Sequence, residues 1–171
     1  MRGRRLVLYL QVFIGGTATM GIEMCASRLL APYFGNSLPV WGLLIGLFLA
    51  YLAVGNVLGG WLADRRAQAS GLYRLTAWAG FIIGLIPFIS QPILRYSVSA
   101  FASYRAGAVL GSLLSVLALF APPVVLLGCI LPFTVRLRVE HTTASSSASY
   151  SASALSTVGS LVGTFAPVFL L

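Results

Sequence analysis

Residues 40–63 read VWGLLIGLFLAYLAVGNVLGGWLA, and this run contains no acidic and no basic side chain. A helix needs roughly 20 mainly apolar residues to cross the hydrocarbon core of a bilayer. The apolar residues of the run do not alternate with polar ones, as they would in a strand of a membrane barrel. Because lipid offers no hydrogen-bond partners to an open strand, the run predicts a membrane-spanning helix.

Four further runs have a similar length and composition. They are residues 6–30, 72–90, 106–133 and 150–171. We therefore expect an all-α fold, a polytopic transmembrane bundle of about five spanning helices that forms one integral membrane domain over residues 1–171. The first run follows a charged N-terminus, which is also how a signal peptide begins, so both interpretations are open. We take the run as a retained helix because no small-residue cleavage site follows a short apolar core.

The composition places most of the protein surface in lipid. Hydrophobic residues make up 58% of the chain and charged residues 8%, whereas soluble domains carry about 25% charged residues. The formal net charge is +8, but the basic residues lie at the ends of the apolar runs. Because no basic patch alternates with exposed aromatic residues, nucleic acid is not an expected partner. The lipid bilayer is the expected partner, with anionic headgroups near the arginines.

The arginines also predict an orientation. Eight of them fall on the side of the N-terminus: Arg2, Arg4, Arg5, Arg65, Arg66, Arg74, Arg136 and Arg138. The other side holds Arg28, Arg95 and Arg105. By the positive-inside rule this asymmetry predicts a multi-pass protein of the bacterial inner membrane with a cytoplasmic N-terminus.

Pairs of glycines four residues apart recur along the helices. They are Gly42 and Gly46, Gly55 and Gly59, Gly80 and Gly84, Gly107 and Gly111, and Gly159 and Gly163. Small residues at this spacing allow helix backbones to approach closely in a membrane. The pairs predict a tight bundle, and the same faces suit association with other membrane subunits or with a second copy of the chain.

Two further features modify the helices. Pro122 and Pro123 lie near the middle of the fourth run and predict a kink or a break, which in transporters sometimes borders a binding site. Residues 91–105 are predicted to form a short helix in the membrane interface, with Tyr96 and Tyr104 at headgroup level. A plain loop over residues 91–105 is the alternative.

Glu23 is the main candidate for a functional residue, because it is an acidic side chain within an apolar run. A charge in hydrocarbon costs several kcal/mol unless it is paired or faces a polar cavity. One interpretation is a structural carboxylate that accepts hydrogen bonds from serines or tyrosines of other helices, with Arg28 reaching the headgroups. The other is a cleft that binds a polyamine or another cationic amine, since carboxylates and aromatic faces attract ammonium groups. Its expected aromatic ring consists of Tyr33, Phe34, Trp41 and Tyr51.

No enzyme signature accompanies Glu23. The sequence has no nucleophile–base set and no metal-ligand spacing, so we expect no catalytic residue, no metal and no cofactor. At the end of the second run, Gly60, Asp64 and Arg65 resemble the loop after the second helix of major facilitator transporters. In that family the Asp and Arg join helix ends and influence the conformational equilibrium.

Four blocks of sequence resemble one family as a whole. They are residues 21–35 (GIEMCASRLLAPYFG), 41–65, 123–136 with Gly128 and Pro132, and 155–164 (LSTVGSLVGT). Together they resemble the membrane domain of bacterial fused major-facilitator-like/spermidine synthase proteins. In that family a Rossmann-type domain follows, which binds decarboxylated S-adenosylmethionine and a polyamine. The sequence has no glycine-rich nucleotide loop and no acidic pair for putrescine, so the resemblance does not imply aminopropyltransferase activity here.

The sequence therefore leaves two functions open. The first is a non-catalytic structural or accessory subunit of a larger membrane complex, which the short chain and its glycine faces favour. The second is a transporter-like or sensing module that binds a cationic amine near Glu23. Five helices are few for alternating access, so the second function would require a dimer or a partner chain.

Overall fold

The computed structural model describes residues 2–65, 68–104, 107–139 and 145–170, with side chains at 6–65, 68–104, 107–138 and 149–169. Within these ranges every regular element is an α-helix. The helices are α1 Arg2–Phe34, α2 Leu38–Arg65, α3 Ala69–Phe101, α4 Gly107–Gly128, α5 Ile130–Val139 and α6 Ser145–Leu170. Five stretches are long and apolar enough to cross a membrane, and α4 and α5 together form one of them. The all-α fold with five candidate spans is confirmed.

Helix α1 extends beyond the predicted residues 6–30 at both ends. Its last turn contains Pro32, and the helix ends at Phe34. The next residue, Gly35, has a φ of 75° and donates its N–H to the Ala31 carbonyl at 2.9 Å. A left-handed residue of this kind closes a helix and favours glycine because a Cβ would be strained there.

The predicted interfacial helix over residues 91–105 is wrong, because α3 continues through Pro87 and Pro92 to Phe101. Leu94 and Ser97 are fully buried, and the Ser97 backbone lies against α4 near Gly111. The end of α3 is therefore held by packing on α4 and not by the membrane interface. Tyr96 and Tyr104 are 68% and 61% exposed, respectively. Their predicted contact with lipid headgroups stays a prediction.

The fourth predicted helix is interrupted at Cys129, not at its prolines. Helix α4 continues across Pro122 and Pro123 to Gly128, and α5 begins at Ile130. At the interruption the Cys129 N–H is shared between the carbonyls of Val125 and Leu126, each at 3.2 Å. The prediction of a break at the prolines is therefore wrong, because the break lies at Cys129, whereas a kink at the prolines stays a prediction.

Helix α6 begins at Ser145, five residues before the predicted run of residues 150–171. This helix packs along α1 through small residues. A Cβ at Gly159 or Gly163 would overlap the α1 backbone at Phe13 or Thr17. Because these contacts are with backbone atoms, the two helices approach as closely as the small-residue spacing predicts.

The glycine pairs divide into packed and open ones. A Cβ at Gly55 or Gly59 would overlap the backbone of α4 and its junction with α5, and one at Gly107 or Gly111 would overlap Phe101 or Phe34. The pairs that pack against nothing within 4 Å are Gly42 with Gly46 and Gly80 with Gly84. The expectation that these four glycines support packing within the bundle is wrong, since they face outward.

Helix α4 forms the centre of the bundle. It contacts α1, α2 and α3, while α6 packs mainly on α1, and α5 continues the α4 span towards the ends of α2 and α6. Helices α2 and α6 do not pack against each other in the part of the chain that the structure describes. A cleft therefore runs between them, with α1 and the α4–α5 junction as its floor.

Candidate functional site

Glu23 lies in the middle of the α1 span and is 8% exposed. No hydrogen bond and no ion pair joins its carboxylate to another described residue, in contrast to Asp64, whose Oδ1 lies 3.0 Å from Nε of Arg136. The interpretation as a carboxylate bonded to serines or tyrosines of other helices is therefore not met. A buried carboxyl group without such partners is left to water or to a ligand from outside the chain.

A polar cavity of about 160 Å³ occupies the cleft between α2 and α6. Its polar side chains are Thr19, Asn56, Ser156 and Ser160. The Thr19 hydroxyl donates to the Gly15 carbonyl at 2.8 Å, and the Ser160 hydroxyl to the Gly16 carbonyl at 3.4 Å. Since one water requires roughly 10–15 Å³ of such volume, the cavity has room for several waters or a small polar ligand.

Helix periodicity places Glu23 beside this cavity. Thr19 and Met20 line its α1 wall, and Glu23 follows Thr19 by four residues. Residues four apart stack on one helix face, with about 5–6 Å between their Cβ atoms. Glu23 is not among the residues that line the cavity, and it stands one turn beyond the α1 wall, towards the α1–α2 loop.

Tyr51 is a second buried residue with a polar group at this level. Its side chain is 7% exposed, and its hydroxyl has no hydrogen-bond partner among the described residues. With a rise of about 1.5 Å per residue, Glu23 lies roughly 17 Å before the end of α1 and Tyr51 roughly 20 Å after the start of α2. Because these helices form an antiparallel hairpin, Tyr51 and Glu23 lie at nearly the same depth.

The other expected members of the aromatic ring do not surround Glu23. Tyr33 and Phe34 pack on each other with ring centroids 6.4 Å apart, about 15 Å further along α1. Trp41 is 38% exposed in the first turn of α2, near the same end. Arg28 is exposed and pairs with no described acidic group. Of the residues predicted for this site, only Glu23 and Tyr51 share one level of the bundle.

The helix-end residues lie at the opposite end of the span. Asp64 joins the end of α2 to α5 through Arg136, and Arg65 lies over the ring of Trp61, 3.9 Å from its centroid. Gly60 has nothing within 4 Å of a Cβ placed on it. Asp64 therefore connects two helices, as the resemblance to facilitator loops implies, whereas Arg65 stays on its own helix. A conformational role for these residues stays a prediction.

A larger cavity of about 440 Å³ lies on the other side of α1, against α3 and α4. Gly21, Ile22, Cys25, Ile86 and Phe120 are among the residues that line it. These side chains offer almost no hydrogen bonds, so the cavity suits hydrocarbon. The polar candidate site is accordingly the smaller cavity beside Glu23.

The chemistry available at the site is recognition of charge and hydrogen-bond donors. Within the described residues, no three His, Cys, Asp or Glu side chains come together as a metal site would require. Thr19, Asn56, Ser156 and Ser160 were not selected from the sequence. One signal was present, because Asn56 is an amide within the apolar run of residues 40–63 and such positions are costly in lipid.

Comparisons of the chain with protein-family models, with curated proteins and with solved structures found no match. The resemblance to the membrane domain of spermidine synthase-like proteins therefore stays a prediction based on the quoted residues. The five apolar helices indicate a multi-pass membrane protein in a lipid bilayer.

Proposed function

We propose that the protein is a transporter-like or sensing membrane module that binds a cationic amine at Glu23. The observation that carries the proposal is a carboxylate, 8% exposed and without a hydrogen bond or ion pair to any described residue, one helical turn from a polar cavity. Ionisable residues inside a membrane usually mark a binding site or an ion pathway. An ammonium group would compensate the charge, and the hydroxyls of the cavity would accept its remaining N–H bonds.

The expected ligand is small or slender. A cavity of about 160 Å³ accommodates one ammonium end of an alkylamine, with the rest of the chain extending along the open α2–α6 cleft. The Tyr51 hydroxyl does not line the cavity, but at the depth of Glu23 it is the second polar group that we propose for the ligand. A polyamine is the first candidate, because it is a slender chain that carries ammonium groups.

The test is thermal unfolding of the purified protein in detergent with and without spermidine. A ligand at about 100 times its Kd stabilises a protein by about 2.7 kcal/mol, which corresponds to a rise of roughly 5–10 °C for a chain of this size. Glu23→Gln should abolish the rise, since the amide keeps the shape but not the charge.

Asp64→Asn is the matched control, because it makes the same acid-to-amide change at an exposed position. Spermidine should stabilise Asp64→Asn as it does the unaltered protein. Equal stabilisation of the unaltered protein and of Glu23→Gln would refute the amine site, as would a loss that Asp64→Asn shares.

A second function, that of an accessory subunit in a larger membrane assembly, is favoured by the open face of α2 that borders the α2–α6 cleft. Asn56 is exposed there and donates to no described residue. Gly42, Gly46 and Gly60 lie on the same face, with nothing within 4 Å of an added Cβ. An amide facing acyl chains is unfavourable, whereas a partner helix at a small-residue face satisfies it.

Association tests this second function. Mild-detergent purification should recover a dimer or a stoichiometric partner, and Asn56→Leu should weaken the complex. Gly80→Leu, on an open face of α3 without an amide, is the control. A monomer of unaltered protein under these conditions would contradict the subunit role.

We further propose that the protein lies in a bacterial inner membrane with its N-terminus in the cytoplasm. The basis is the excess of arginines at the ends of α2 and α5, where Arg65, Arg136 and Arg138 lie. Arg66 and Arg105, which also enter the count, lie outside the described residues. A reporter that works only in the cytoplasm should be active when it is fused before Met1. Activity of a periplasm-specific reporter at the same position would show the opposite orientation.

A further inference from the structure

The arginines at one end of the bundle differ in their contacts. We call Arg65, Arg74, Arg136 and Arg138 the basic rim. Arg136 pairs with Asp64, Arg65 lies over Trp61, and Arg138 donates to Tyr9 and lies over its ring. Arg74 alone among them makes no hydrogen bond, ion pair or ring contact with a described residue. Its guanidinium is thus available to an external anion.

Arg74 stands at the mouth of an apolar groove. The groove has a volume of about 290 Å³ and is lined by Leu62 of α2, Trp78 and Ile82 of α3, and Leu126 of α4. Arg74, Trp78 and Ile82 follow one another every four residues, so they stack along one face of α3. From Arg74 to Ile82 the groove runs about 12 Å along the helix, towards the middle of the span.

We propose that this groove binds an anionic phospholipid, with the phosphate on Arg74 and one acyl chain against Trp78, Ile82 and Leu126. Guanidinium groups bind phosphate oxygens through paired N–H donors, and basic pockets between membrane helices hold anionic headgroups. Trp78 is 60% exposed, one turn inward from Arg74, which is the level at which tryptophan marks the boundary between headgroups and acyl chains. A free anion would use Arg74 but not the apolar wall, which selects lipid as the occupant.

Native mass spectrometry of the full-length protein in detergent tests the site. The protein is titrated separately with dioleoyl phosphatidylglycerol and dioleoyl phosphatidylcholine, which share their acyl chains. Phosphatidylglycerol should bind more tightly, and Arg74→Gln should weaken its binding about five- to tenfold while leaving phosphatidylcholine unchanged.

Arg95→Gln is the control, since it removes an exposed arginine from the far end of α3, about 30 Å away. Its affinity for phosphatidylglycerol should equal that of the unaltered protein. Dihexanoyl phosphatidylglycerol and inorganic phosphate separate the sources of binding, because they lack a long acyl chain and should bind only weakly. Equal losses in Arg74→Gln and Arg95→Gln, equal binding of the two dioleoyl lipids, or phosphate binding as tight as lipid binding would each overturn the proposal.

Discussion

Replacing Gly59 with alanine should loosen α2 from the centre of the bundle. A Cβ at this position would lie 2.7 Å from the Cys129 carbonyl oxygen, whereas ordinary contact begins at 3.4 Å. The obstructing atoms belong to the backbone at the α4–α5 junction, so no side-chain rotation relieves the overlap. The helices must separate by somewhat under ~1 Å, and the neighbouring contact of Gly55 with Gly128 opens with them.

The expected cost is about 1–3 kcal/mol in the free energy of unfolding, as for other overpacked contacts. Gly60 provides the control, because it is adjacent on the same helix and has nothing within 4 Å of an added Cβ. Gly60→Ala gains helix propensity of up to about 1 kcal/mol without a clash. The two variants should therefore differ in sign.

Unfolding in mixed dodecyl maltoside and sodium dodecyl sulfate micelles, followed by circular dichroism, measures this difference. Gly59→Ala should unfold at a lower mole fraction of dodecyl sulfate than the unaltered protein. Gly60→Ala should unfold at the same or a higher mole fraction. If both variants shift the midpoint equally, the close approach of α2 to the α4–α5 junction does not stabilise the fold, and the reasoning fails.

Two further predictions concern single side chains. Tyr51→Phe removes a buried hydroxyl without a described partner, so the ligand-free protein should be more stable by up to ~1–3 kcal/mol. Stabilisation by spermidine should fall in the same variant. A variant that is less stable in thermal melts would show that the hydroxyl has a hydrogen-bond partner. Arg136→Gln breaks an ion pair whose side chains are 47% and 65% exposed, so unfolding should change by under about 1 kcal/mol. The latter change should shrink further in high salt, and a larger effect would assign Asp64 a structural role beyond the pair.

The existence of the helices was predictable because length and apolar composition depend on the local sequence alone. The end of α3 was not, because the predicted run stopped at residue 90, whereas the burial of Leu94 and Ser97 on α4 accompanies a helix that continues to Phe101. That burial is a property of two helices together. A pattern within one helix does not contain it.

The glycine pairs show the same limit. Gly42 with Gly46 and Gly55 with Gly59 have identical spacing on one helix, yet only the second pair meets α4 and its junction with α5. Spacing identifies a surface that permits close approach, whereas the neighbouring helix decides which surface is used.

For the site, composition identified Glu23, since an acid in an apolar run is costly in lipid. Tyr33 and Trp41 were predicted to belong to an aromatic ring around it, but about ten residues of helix separate Tyr33 from Glu23 by roughly 15 Å. Tyr51, more distant in sequence, returns to the depth of Glu23 because α1 and α2 are antiparallel. The cavity side chains on α6 were not predictable without knowing that α6 packs on α1.

The packed glycines also explain why a polar cleft persists in a bundle surrounded by lipid. Gly159 and Gly163 hold α6 on α1, and Gly55 and Gly59 hold α2 on the α4–α5 junction. Each contact is between backbones, so neither helix can move across to cover Asn56 without opening a tight interface. The cleft is therefore open to water, to an amine ligand or to a partner helix. If the occupant is an amine, Glu23→Gln should lose the stabilisation by spermidine, and association of the protein should not change. If the occupant is a partner helix, Asn56→Leu should lose association, and spermidine should have no effect.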